Sequence, residues 1–151
     1  MNIERPAILY NQDIVDDKCR DANGNIVCFI RKDGAIEYNK DIDGFTMRIN
    51  GRNNTIIIYE QTECSNNKIV VEGENKTIII NRSRYTMKGM NIESIGKNHT
   101  LWIGKDLCVF GLTIKHMFED IFIGDRCLIA KGTSIWCSDH HAILDSNGVS
   151  L

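Results

Sequence analysis

The sequence predicts an all-β chain wound as a solenoid of triangular coils, and three observations predict it. The first is composition: of 151 residues, 24 are Ile, 15 Asn and 12 Gly, with a single Pro at position 6. Branching at Cβ suits Ile to a pleated strand and makes it a poor helix former. Asn and Gly supply the turn and left-handed conformations that join short strands. The second is a long repeat, Gly-x-Asn-x-Thr followed by three mostly apolar residues. It begins at Gly51, Gly73 and Gly96, with spacings of 22 and 23 residues. That is too short for a strand-helix-strand unit. The third is a finer period near the end, where Ile123, Ile129 and Ile135 stand six apart.

The elements follow in chain order. Residues 1–40 lack the repeat and are expected to cover the first coil as an N-terminal cap, since a solenoid must protect its terminal unit. Within them Asn11–Asp13 and Asp21–Asn25 look like turns. Ile26–Ile30 and Ala35–Tyr38 look like strands, joined by the Lys32-Asp33-Gly34 turn signal, and a helix over Ile14–Arg20 is weakly suggested. Residues 41–151 carry the coils, so the chain reads as one domain. Gly51-Arg-Asn53-Asn-Thr55, Gly73-Glu-Asn75-Lys-Thr77 and Gly96-Lys-Asn98-His-Thr100 each open an apolar triplet. Ile103-Gly104 starts the hexad phase that Ile123-Gly124 and Ile129-Ala130 continue. Each hexad is a short strand plus a tight turn, its aliphatic pointing into the prism and its small residue fitting the corner. Such a coil buries its apolar face only by stacking. Ile49, Ile58, Ile80, Ile103, Ile123, Ile129 and Ile135 are therefore the expected core. An ordinary β-sandwich would also give Ile-rich runs between turns; the agreement of the two periods favours the solenoid.

Charge and pattern exclude several functions. Eighteen Lys and Arg against twenty Asp and Glu leave a net charge of -2 with no long run of either sign. The basic footprint of nucleic-acid binding is absent, as is a polybasic lipid-reading segment. No stretch approaches the ~18 apolar residues of a membrane span, and Met1–Tyr10 does not read as a signal peptide. Six scattered Cys without a CxxC pair read as reduced thiols of a cytoplasmic protein.

One cluster is unusual. Trp136-Cys137-Ser138-Asp139-His140-His141 follows the clearest hexads, where the regular pattern stops. A polar loop leaving a rigid scaffold is a sensible place for a site. From Ile121 to His141 the residues resemble the left-handed parallel β-helix acyltransferases of the hexapeptide-repeat superfamily. More narrowly, Ser138-Asp139-His-His141-Ala-Ile143 is similar to the Ser-Asp-x-His-x-Ile part of an Ile-x-x-x-Ser-Asp-x-His-x-Ile stretch in bacterial enzymes that O-acetylate capsular or other surface polysaccharides. Asp43-Gly44-Phe45 through Ile58 resembles the front of the same proteins.

The resemblance implies transfer of an acetyl group from acetyl-CoA to a hydroxyl of a sugar or polysaccharide by a homotrimer with sites between subunits. The family's catalytic His aligns with His141, and His140 fills the variable position. An alcohol must lose its proton as it attacks a thioester, and an imidazole titrating near pH 6–7 suits that task. Asp139 could orient the imidazole or hold a sugar hydroxyl, or only cap a turn. Ser138 reads more as a turn residue than a nucleophile. Trp136 reads as core or, less readily, as a stacking platform for sugar, and Cys137 as a small packed residue. His99 and His116 could join a neighbouring subunit's site, but a surface or turn role fits them better.

No metal is expected. Some solenoids of that superfamily are carbonic anhydrases with zinc on three His, and Cys137, His140, His141 and His116 offer ligand types. The His pairs that family spaces along successive coils are not visible here. Related enzymes continue past this loop with further hexads that line much of the acetyl-CoA groove, whereas this sequence stops at Ser146-Asn-Gly-Val-Ser-Leu151. The expectation is a chain that folds, binds acetyl-CoA weakly or not at all, and associates through an apolar end near Ile121–Ile135. The alternatives are a non-enzymatic β-solenoid scaffold or glycan-binding protein, and an inactive shortened acyltransferase.

Overall fold

The computed structural model describes residues 14–137. After a 3₁₀ turn at Asp17–Cys19 come β1 (Ile26–Ile30) and β2 (Ile36–Tyr38). The coils then begin with β3 (Phe45–Arg52), β4 (Thr55–Tyr59) and β5 (Glu63–Ser65). A second coil holds β6 (Asn67–Glu74), β7 (Thr77–Ile80) and β8 (Thr86–Lys88), and a third β9 (Asn91–Lys97), β10 (Thr100–Ile103) and β11 (Cys108–Phe110). The fourth has β12 (Thr113–His116), β13 (Ile121–Ile123) and β14 (Leu128–Ile129), and β15 (Ser134–Trp136) follows it.

Every third strand stacks on its counterpart, giving three sheets and a parallel β-solenoid of about four turns. We number the faces by the strands they stack: sheet 1 runs β13-β10-β7-β4-β1-β2, sheet 2 runs β14-β11-β8-β5, and sheet 3 runs β15-β12-β9-β6-β3. All pairs are parallel except β1–β2, which is antiparallel. Thr55 pairs with Thr77 and Thr77 with Thr100, so the long sequence repeat is one circuit of the prism. By Leu101, which pairs with Ile121, the circuit has shortened to 20 residues. This is where the hexad phase becomes visible.

The repeat's glycine and asparagine have separate causes. Gly51 stacks on Gly73 and Gly73 on Gly96. A Cβ on Gly51 would lie 1.8 Å from the Gly73 carbonyl oxygen, and one on Gly73 equally close to that of Gly96. The coils approach so tightly there that no side chain fits. Asn53, Asn75 and Asn98 turn the corner with φ of 56°, 54° and 62°, the left-handed region that Asn tolerates better than most residues.

The prism interior is aliphatic. Ile58, Ile80, Ile103 and Ile123 are buried in one cluster with Ile56, Ile69, Ile78 and Ile92, while Ile49, Ile129 and Ile135 are half-buried against it. All seven expected core residues thus face inward. A second cluster was not foreseen. The middle residues of the Ile triplets, Ile57 and Ile79, point out of sheet 1, yet they are 0% and 3% exposed. Ile26, Cys28 and Ile30 from β1 line the same outer face, and Ile14, Val15, Cys19 and Tyr38 pack on it. The segment around Ile14–Arg20 is no continuous helix: Ile14 and Asp17–Cys19 are 3₁₀, and Val15 and Asp16 between them are not helical. Ile14, Val15 and Cys19 are held against the outside of sheet 1, and Asp16 caps the turn by accepting from the Lys18 N–H at 3.0 Å.

Candidate functional site

At the corner between sheets 3 and 1 the aliphatic interior gives way to polar groups. On the inward face of sheet 3, Ile49 stacks on Val71, Val71 on Ser94, and Ser94 on His116. Lys115 pairs with Trp136, so Cys137 comes next above His116. The column runs Ile, Val, Ser, His, Cys. Beside it a second column turns the corner through Asn25, Asn54 and Lys76. Asn54 donates to Asn25 Oδ1 and to the Gly73 carbonyl, both at 3.0 Å, and accepts from the Lys76 N–H at 2.9 Å. Such fully paired internal amides are the arrangement a buried polar ladder requires.

Lys76 takes the next place in that ladder and is 1% exposed. Its Nζ reaches past the following coil, donating to the carbonyls of Ile95 at 3.1 Å and Met117 at 3.4 Å. Burial lowers its pKa to about 8, against smaller opposing effects of Cys137 and Asp120. His116 is fully buried, with Nδ1 hydrogen-bonded to Ser94 Oγ at 2.9 Å. Burial first, then the positive charges of Lys76 and His99, lower its pKa to about 4, so it is a neutral imidazole at physiological pH. His99 lies at the rim of this corner, 3.6 Å from Asp120 through Nδ1 and edge-on to the His116 ring at 6.4 Å between centroids. Asp120 also accepts the Thr100 N–H at 2.8 Å, closing the turn into β10.

Cys137 completes the corner. Its sulfur accepts the Met117 N–H at 3.0 Å and the thiol lies 3.4 Å from the Lys115 carbonyl. Burial would raise its pKa, but hydrogen bonds from the backbone N–H groups of Met117, Phe118, Glu119 and Cys137 outweigh it, so the thiol lies below its ordinary value. Cys28, on the outer face of sheet 1, shows the opposite case, pushed up to about 11 by burial.

The residues singled out from sequence fare differently. Ser138, Asp139, His140 and His141 lie outside the described residues. Trp136 is not core: it occupies an outward position of β15 and is 55% exposed. The physical reason is strand alternation, since Ile135 and Cys137 take the inward positions on either side. Cys137 is packed against the interior, as expected of a small residue, but its sulfur is also a focus of backbone donors. His116 corrects the expectation of a surface or turn role, because the inward face of sheet 3 carries it inside beside Ser94. Lys76 was missed altogether. Its sequence signal is faint: the position after the left-handed Asn is Asn54, Lys76 and then His99, a polar series that the corner turns inward.

Among the described residues no group of three His, Cys, Asp or Glu is arranged to hold a metal ion. A concavity of about 550 Å³ between Phe29, Ile42, Phe45 and Gln61 lies in the first coil, at the opposite end of the solenoid from Cys137. No family model, curated protein or solved structure matches this chain.

Proposed function

We propose that the protein is an O-acetyltransferase that moves an acetyl group from acetyl-CoA to a hydroxyl of a sugar or polysaccharide, with His141 as general base. The observation that carries the reading is the Ser138-Asp139-His140-His141 run, which comes one residue after β15 of a parallel β-solenoid in the chain. The architecture is of the kind the resemblance implies, and left-handed winding and a trimer belong to the same proposal.

In this reading the acceptor hydroxyl attacks the thioester carbonyl while His141 takes its proton, and CoA leaves as the thiol. No covalent enzyme intermediate is required, because ordering both substrates beside the base supplies much of the rate advantage. Asp139 orients the imidazole, and Ser138 and His140 contribute to substrate binding. Trp136 suits a stacking platform for a sugar ring, and its outward, exposed position supports that role over packing.

The test is release of free CoA thiol from acetyl-CoA in the presence of candidate sugars, with mass detection of the acetylated product. His141→Ala should lower turnover by about 100-fold or more, the range for loss of general-base assistance. His140→Ala should cost less. Unchanged turnover in His141→Ala would reject the mechanism. The alternative of a glycan-binding solenoid draws on the exposed aromatics Tyr85, Phe110 and Trp136; it predicts sugar binding with no CoA release.

A further inference from the structure

We propose that the corner between sheets 1 and 2 is a binding groove for an acidic glycan, a sugar chain carrying carboxylate groups; this narrows the saccharide acceptor proposed above, on which it rests. Two concavities, of about 450 and about 300 Å³, adjoin along this corner and share Asp106. The first is bounded by Tyr59, Arg82, Arg84 and Lys105, the second by Tyr85 and Arg126. Backbone hydrogen bonds stack the corner turns on one another. The Asp106 N–H donates to the Arg82 carbonyl at 3.0 Å, and the Arg126 N–H to the Lys105 carbonyl at 2.7 Å. The second, third and fourth coils thus each place a cation on this corner, in steps of one strand spacing, ~4.8 Å.

These cations are not neutralised within the fold. Arg20, Arg31, Arg48, Arg52 and Arg84 each have a carboxylate within 3.5 Å, whereas Arg82, Lys105 and Arg126 pair with none among the described residues. Asp106 is the only carboxylate lining either concavity, and Arg84 holds it through its N–H at 3.2 Å and its guanidinium at 3.3 Å. Asp125 is taken up by the Lys105 N–H at 2.7 Å. Four cations against one carboxylate is a local excess in a chain whose net charge is -2. Arg82 is anchored, donating from Nη2 to the Arg31 carbonyl at 3.0 Å, so it loses little freedom when an anion arrives. Guanidinium and ammonium groups bind carboxylates through charge-assisted hydrogen bonds. The rest of the lining says what carries the carboxylate. The exposed Tyr85 ring is braced by the Arg84 guanidinium, 5.3 Å from its centroid, and Tyr59 borders the other end. Tyrosine offers an apolar face to sugar C–H groups and a hydroxyl to sugar oxygens. The groove is far larger than a free inorganic anion, and a sugar unit advances its chain by about the distance between coils. Successive uronate units therefore meet successive cations. A nucleic acid fits less well, because the chain as a whole is negative.

The test is isothermal titration of the folded 151-residue chain at pH 7 with tetragalacturonate, a hyaluronan tetrasaccharide, neutral maltotetraose and sodium sulfate. At least one acidic tetrasaccharide should bind about tenfold or more tightly than maltotetraose or sulfate. Raising the salt from about 20 mM to about 0.5 M should remove most of that advantage. Lys105→Gln/Arg126→Gln alters two exposed side chains that make no hydrogen bond or ion pair among the described residues. It should unfold in urea like the wild type and lose about tenfold in affinity for the acidic tetrasaccharide. Arg48→Gln, on the outer face of sheet 3 and paired with Glu72, should bind like the wild type. Equal binding of maltotetraose would leave a saccharide site without charge selection, and sulfate binding as tightly as the tetrasaccharides would leave a small-anion site; either overturns the proposal. So would no binding at all, or unchanged affinity in the double variant. Acetyl transfer to a neutral sugar alongside any of those results would leave the function proposed above standing while this inference falls.

Discussion

Replacing Lys76 by Met removes an amine from the interior while keeping a straight side chain of similar length. Lys76 is 1% exposed and forms no ion pair among the described residues; its Nζ is held by two backbone carbonyls. Its pKa falls to about 8 in the fold, against roughly 10.4 for an unperturbed lysine. The gap of about 2.4 units corresponds to ~3 kcal/mol that the folded state gives up to keep the amine charged. Because the native pKa is the lower one, the unfolded chain binds more protons between about pH 8 and pH 10.4. Stability should therefore rise with pH across that window by ~1.4 kcal/mol per unit, the cost being fully present below it and gone above it. Lys76→Met has no such dependence, although it leaves the Ile95 and Met117 carbonyls without this donor. At neutral pH the two effects oppose each other, with lost hydrogen bonds of ~1–3 kcal/mol each set against the relieved charge. The pH dependence is the cleaner quantity. Urea unfolding of both proteins at pH 7, 8, 9 and 10, followed by tryptophan fluorescence, gives the difference in stability at each pH. Groups such as Cys28, whose raised pKa acts in the opposite direction, cancel in that difference. The wild type should gain on the variant by ~2.5 kcal/mol from pH 7 to pH 10. A difference constant within ~0.5 kcal/mol would show that Lys76 is not titrating in the interior, and the reasoning would fail.

Gly73→Ala should destabilise by more than ~3 kcal/mol, because a Cβ 1.8 Å from the Gly96 carbonyl forces the second and third coils apart and breaks ladder hydrogen bonds worth ~1 kcal/mol each. Gly124→Ala, with no atom within 4 Å of its Cβ, should change urea stability by less than ~1 kcal/mol, and equal losses would refute the close-approach argument. His116, with a pKa of about 4 against roughly 6.5 unfolded, should cost up to ~3 kcal/mol as pH falls from 6.5 to 4 and nothing further below. His116→Gln should flatten that part of the acid unfolding curve; an unchanged curve would place the titration elsewhere.

The solenoid was legible because its two causes are local. Gly51 and Gly73 mark where backbones nearly touch, and Asn53, Asn75 and Asn98 mark where the chain turns left-handed; both requirements print a residue type at a fixed spacing. The inward aliphatics Ile58, Ile80, Ile103 and Ile123 follow from strand alternation between those corners. The candidate site was legible only in part. Ser138 to His141 stood out as a sequence cluster, which lies outside the described residues.

What the sequence by itself determined, then, is the period: coil length, corner residues and the inward face of each strand, all consequences of short-range sterics and of burying one face by stacking. The tertiary structure decided which residues meet across coils. Ile57 and Ile79 point outward and would be solvent-exposed on an isolated solenoid, yet they are enclosed because Ile14, Val15 and Cys19 come from outside the repeat to pack on the face they share with β1. Lys76 occupies a variable position that reads as a surface lysine, and only the corner between sheets 3 and 1 turns it inward. Ser94, His116 and Cys137 stand more than twenty residues apart in steps, ordinary in sequence, and become one column only when successive coils stack in register. Periodicity fixes the coil; the chemistry at its corner arises from contacts between coils, to which a single strand's pattern is blind.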